Sequence, residues 1–184
     1  PIFRAVTTER ILSTPETFGS FKVYIRLKDK MLPHDPVTHY LPQYQLLVLT
    51  PPACENPQYA QTIECIMPLD YSLLDSWKSN RHADYKSYET FKKCKAQDVI
   101  QIINAIYPNI NDCISDYFTS TSLSFRDIYH SPQGAMYGLS SPIGGVTTKV
   151  ENLFLTGQNC FMHGFYGTLC TAIETVNAIE NKYE

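Results

Sequence analysis

The glycines near the end of the chain are the residues best placed to do chemistry. Gly157, Gly164 and Gly167 interrupt "NLFLTGQNCFMHGFYGTLCTAIETVNAI", which reads as a short apolar run, two turns and an amphipathic helix. Strand, glycines and helix in that order present backbone N–H groups and the positive end of a helix dipole to a polar or charged ligand. His163 lies in the same turn, and Met136 and Tyr137 lie in a second glycine-rich segment, "SPQGAMYG". Other chemistries have less support. Cys54, Cys65, Cys94, Cys113, Cys160 and Cys170 form no C-x-x-C pair, so they read as small hydrophobes in a reducing compartment. The histidines (34, 39, 82, 130 and 163) are separated from one another, and no local metal-ligand spacing results.

These turns need a scaffold, and a chain of 184 residues with 43% hydrophobic content can bury a core. "SFKVYIRLKD" alternates, with Phe21, Val23, Ile25 and Leu27 on one face, and predicts a half-buried strand. Tyr44 to Thr50 and Thr62 to Met67 predict two more strands, and the loops between them imply an antiparallel sheet. Ser72 and Asp75 have capping-box spacing before a short helical turn at Trp77. A long helix is predicted from Tyr85 to Ile106, with Tyr88, Phe91, Cys94, Val99, Ile102, Ile103 and Ile106 inward. Ser115 to Phe125, rich in aromatic and β-branched residues, reads as a fourth strand. Seven of the eight glycines fall at or after Gly134, which places a boundary near Phe125 to Ser131. Asn152 to Thr156 predicts a buried strand of a parallel sheet. The helix behind it should carry Leu169, Ala172, Ile173, Val176 and Ile179 on one stripe.

A net charge of -3 with scattered Lys and Arg leaves no electrostatic footprint for nucleic acid. No apolar run spans a bilayer and no signal peptide is visible, so a cytoplasmic location is expected, with room for peripheral membrane contact. The start at Pro1, without an initiating Met, suits a piece of a longer chain.

"SPQGAMYG" followed by "TTKVENLFLTGQNCFMHGFYGTL" resembles the C-terminal end of FAD-dependent phytoene dehydrogenase-like oxidoreductases, the group of phytoene desaturases, carotenoid isomerases and retinol saturases. "TGQN" with "HG" leans toward the isomerase and saturase branch. The resemblance implies that residues 1–125 belong to a substrate domain and 126–184 to the C-terminal part of a Rossmann-like FAD lobe, the whole being an α+β piece of a larger α/β flavoenzyme. It further implies that Gly157, Gln158 and Asn159 lie near the ribityl and phosphate part of FAD. His163, Gly164, Phe165, Tyr166 and Gly167 would face the flavin ring, with Met136 and Tyr137 lining the substrate. Gln158 stands where amine-oxidase-like endings usually carry an acid.

The G-x-G-x-x-G turn that holds the ADP half of FAD is absent from these residues. The chain alone is therefore expected not to hold FAD tightly and to be inactive. The implied function is redox or isomerisation chemistry on the carbon–carbon bonds of an apolar polyene. An amine-oxidase-like flavoenzyme and a non-catalytic α+β module for an apolar ligand or protein partner are the alternatives.

Overall fold

The computed structural model describes residues 2–79 and 84–183, with the side chain of residue 183 left out; His82 lies outside the described residues. The fold is mixed α+β, built on one open five-stranded sheet of order β2-β3-β4-β1-β5 in which every neighbouring pair is antiparallel. The strands are β1 (Gly19–Leu27), β2 (His39–Leu41), β3 (Leu46–Leu49), β4 (Thr62–Leu69) and β5 (Ile114–Ser120). The alternation read in β1 holds: Phe21, Val23, Ile25 and Leu27 are all buried. They meet Leu46 and Val48 of β3 and Ile63 and Cys65 of β4 in one core.

Helix α2 (Tyr85–Ile103) covers that core with Tyr88, Ala96, Val99, Ile100 and Ile103. The buried stripe is rotated from the predicted one: Cys94 is exposed, and Ala96 and Ile100 face inward in its place. The turn before it, Tyr71–Trp77, is capped by Asp70, whose carboxylate accepts from the Ser72 N–H at 2.8 Å. The predicted Ser72 and Asp75 box is not formed, because the extended residue at the N-cap position is Asp70. Trp77 donates its indole N–H to Ser87 Oγ at 2.9 Å and packs on Tyr88 and Phe91.

Four further differences concern segment identity. Helix α1 (Ala5–Ser13) and the three-residue β2 were not foreseen. After the short α3 (Ile110–Cys113), the predicted strand to Phe125 stops at Ser120 and becomes helix α4 (Ser122–Tyr129). Thr121 causes the switch, since its hydroxyl accepts from Leu123 N–H at 3.1 Å and pairs with Tyr88 OH at 2.8 Å. Asn152 to Thr156 is not a parallel strand: Phe154 forms one antiparallel bridge with Thr147, Leu155 N–H donates to Val146 C=O at 2.7 Å, and the segment is only half-buried. It pairs with no second strand among the described residues.

Helix α5 (Gly164–Tyr183) starts where expected but is turned over. Gly167 and Thr171 are buried, and Thr175 Oγ1 donates to Leu155 C=O at 2.9 Å. The apolar stripe points away, with Leu169, Ile173 and Val176 about half exposed (49%, 54% and 52%). No helix among the described residues is long and apolar enough to cross a membrane.

At the far sheet edge Asp35 organises the connection into β2. Its carboxylate accepts from His39 Nε2 at 2.6 Å, Val37 N–H at 2.9 Å and Tyr107 OH at 3.2 Å. The hydrogen bond from His39, then that from Val37, holds the Asp35 carboxyl below the usual range, while burial pushes the Tyr107 phenol up to about 12. A carboxyl with a lowered folded-state pKa stabilises the fold above its unfolded value, near 3.9, and ceases to do so as pH falls through the lowered value. Asp35→Asn should therefore melt below the native chain at neutral pH, and the gap should close below about pH 4 in thermal melts taken across the acid range.

Candidate functional site

The site is assembled from three distant segments. Residues 136–140 run antiparallel to residues 15–18: Met136 N–H donates to Phe18 C=O at 3.0 Å, Thr17 N–H to Gly138 C=O at 2.7 Å and Ser140 N–H to Pro15 C=O at 2.7 Å. The third segment, the turn from Gly157 to Cys160, is tied to this ladder. Asn159 Oδ1 accepts from Leu139 N–H at 2.9 Å, Ile143 N–H donates to Asn159 C=O at 2.7 Å, and Gly144 N–H donates to Cys160 C=O at 3.1 Å. A Cβ on Gly138 would sit 2.1 Å from Asn159 Oδ1, at φ +70°, so glycine is what lets the amide reach across.

Beyond that turn the rings of His163 and Tyr137 stack, 6.1 Å apart and 22° from parallel, and Phe18 meets Tyr137 edge-on at 5.9 Å. Aromatic contacts in these geometries are favoured by ring quadrupoles. Tyr137 also lies against the start of α5, its Cε1 3.9 Å from where a Gly164 Cβ would be. His163 Nε2 is buried and has no hydrogen-bond partner among the described residues.

Met136 and Tyr137 in turn form one wall of a groove of about 510 Å³. Its other walls are Phe18, Tyr40, Gln45 and Leu47, with Ile66, Met67 and Pro68 from β4. The register explains this lining: Tyr40 pairs with Leu47, Leu47 with Ile66 and Ile66 with Lys22, so the four form one row on the face opposite the core. The row is apolar until Lys22, whose ammonium lies 5.0 Å from the Phe125 ring centroid. Burial lowers the Lys22 pKa, and the Glu64 charge partly offsets this. A groove of this size and composition suits a slender apolar molecule.

The remaining predicted residues divide. Gln158 and Asn159 line a smaller groove of about 390 Å³ with Met136, Tyr129 and His130. Gly157, at φ +103°, has nothing within 4 Å of a built Cβ and is open. Phe165 and Tyr166, at the first turn of α5, are 90% and 70% exposed and make no contact with the groove. Gly167 has a packing reason of its own, since its Cβ would lie 2.4 Å from Met162 C=O. Taken together, an open glycine turn, a buried imidazole nitrogen lacking a partner and uncovered aromatics at a helix start fit a planar heteroaromatic group carrying polar substituents.

Sequence reading missed Glu16, Phe18, Tyr40, Leu47 and Ile66. Burial raises the Glu16 carboxyl pKa, and its Oε2 has no partner. Leu47 and Ile66 gave no sign of facing outward, because β3 is a continuous apolar run, Leu46-Leu47-Val48-Leu49, and Ile66 is followed directly by Met67. Phe18 and Glu16 carried no signal, because their role comes from pairing with residues more than a hundred positions away.

No family model matches the chain. It is similar to all-trans-retinol 13,14-reductase of Danio rerio, 27% identical over 135 residues that cover 66% of this chain and 22% of the relative. With the Homo sapiens protein of the same name the identity is 23% over 168 residues, 80% of this chain and 27% of the relative. The chain thus spans about a quarter of the length of the curated relatives it matches.

Proposed function

We propose that this chain is part of an FAD-dependent oxidoreductase that reduces a carbon–carbon double bond of a retinoid. The observation that carries the reading is the position of Tyr137, which lines the apolar groove and stacks on His163 beside the start of α5. One aromatic ring thereby joins the place for an apolar polyene to the segment suited to a flavin. The relatives are named as retinol reductases, which favours reduction of a retinoid over desaturation of a carotenoid.

In this reading residues 1–125 shape the substrate cavity and residues 126–184 belong to the flavin lobe. Gly157, Gln158 and Asn159 hold the ribityl and phosphate side, and His163 to Gly167 approach the ring. The outward apolar stripe of α5 supports the lobe assignment, since Leu169, Ile173 and Val176 are left about half exposed by the described residues. FAD would supply the redox chemistry. This chain's own residues orient the polyene along Leu47 and Ile66, exclude water through Phe18 and Tyr137, and leave the His163 imidazole nitrogen to a hydrogen-bonding partner on the cofactor.

The complete gene product containing residues 1–184 should carry a flavin absorption band after purification or take up added FAD stoichiometrically. Replacement of His163 by Ala should weaken that uptake roughly tenfold, the loss of about one hydrogen bond to a buried group. A protein that neither holds nor binds FAD would refute the cofactor assignment.

A further inference from the structure

On the other side of the glycine-rich segment lies a cleft of about 470 Å³ between helix α1 and residues 143–150. Its charged lining is Arg4, Arg10 and Lys149, with no carboxylate among the described lining residues, in a chain whose net charge is -3. Glu9 and Glu151, next to Arg10 and Val150 in sequence, fall outside the lining. The cleft's interior is apolar, with Ile11, Ile143 and Leu155. Gly144 and Gly145 form part of its mouth, and a Cβ built on either meets nothing within 4 Å, so no side chain closes it.

Arg4, Arg10 and Lys149 are all exposed, so water and salt screen their mutual repulsion; together they give the cleft a cationic rim, on which the Arg10 guanidinium is steadied by donating to Ile143 C=O at 3.4 Å. A phosphate group carries about -1.5 to -2 at neutral pH and offers several acceptor oxygens, which Arg satisfies in pairs and Lys as a point charge. The apolar interior further suits a phosphate borne on a hydrocarbon stem.

We propose that this cleft binds a doubly charged phosphate group, carried either by an anionic lipid headgroup or by a soluble phosphate compound. It is separate from the groove at Tyr137, with which it shares no lining residue, and does not depend on the redox assignment.

The test has two arms on the complete gene product containing residues 1–184. In one, inorganic pyrophosphate is titrated calorimetrically; in the other, sedimentation measures binding to phosphatidylcholine vesicles with and without about one-fifth phosphatidic acid. Saturable binding is expected in at least one arm. Response to pyrophosphate identifies a soluble phosphate, and response to phosphatidic acid vesicles alone identifies a lipid headgroup. Arg10→Gln combined with Lys149→Gln should weaken it at least about tenfold, since each lost charge-assisted hydrogen bond is worth a comparable factor. Lys149→Arg should retain it, and Arg26→Gln, at a different surface cleft, should leave it unchanged. Matching thermal melts would show that the variants are folded. No binding in either arm, or an equal loss in Arg26→Gln, would overturn the proposal.

Discussion

Gly134→Ala is expected to cost the fold roughly 3–5 kcal/mol, combining steric overpacking with strain at a left-handed residue. A Cβ there would lie 1.9 Å from Ser122 C=O and 2.7 Å from Ser122 Cβ, at φ +64°. Ser122 cannot retreat, because on its other side a Cβ at Gly19 would already lie 2.0 Å from its Oγ. The first residue of α4 is thus clamped between two glycines, one opening β1 and the other just before Met136 and Tyr137. For a chain of this size the midpoint of thermal unfolding should fall by roughly 6–20 °C. Gly144→Ala is the control: its φ of +96° is also left-handed, but nothing lies within 4 Å, so only about 1–3 kcal/mol of strain is expected. Equal losses in the two variants would show that the clamp has no energetic role.

The second large effect concerns ligand affinity. Tyr137→Ala should weaken binding of all-trans-retinol by roughly 10- to 100-fold in a fluorescence titration, since Tyr137 is half-buried and losing an aromatic wall that the bound retinoid covers forfeits about 1.5–3 kcal/mol. Tyr137→Phe should bind within about threefold of the native chain, because the stacked contact with His163 and the edge contact with Phe18 involve the ring. If Ala binds as well as Tyr, the groove at Tyr137 is not where the retinoid lies. A Phe variant as weak as Ala would instead assign the effect to the hydroxyl.

How far such features can be read from sequence depends on the range of the interactions that fix them. β1 was legible because its buried face recurs at every second residue, Phe21 to Leu27, and nothing distant was needed. The length of α2 was nearly legible, yet its stripe was assigned from apolarity, which favoured Cys94 over the smaller Ala96 that packs at the core. At Thr121 composition misled, since a β-branched hydroxyl residue serves equally as strand residue and helix cap. Helix α5 was misoriented for a related reason. Its contact face consists of Gly167, Thr171 and Thr175, whose two hydroxyls bond to helix carbonyls at 2.6 and 2.7 Å, while the apolar residues point outward. The glycine turn was marked by its spacing, while its assignment to a ligand came from the resemblance. Its partners were not marked, because Phe18, Tyr40 and Ile66 reach Tyr137 only through strand pairing and the ladder to residues 15–18.

Product analysis gives the most direct test of retinoid reduction by this protein. The complete gene product, loaded with FAD and given a chemical reductant, should convert all-trans-retinol into a dihydro product two hydrogens heavier, with the polyene absorption band moved to shorter wavelength. Quantitative recovery of unchanged retinol by a protein whose bound flavin still reduces and reoxidises would contradict the assignment of a retinoid double bond as its substrate.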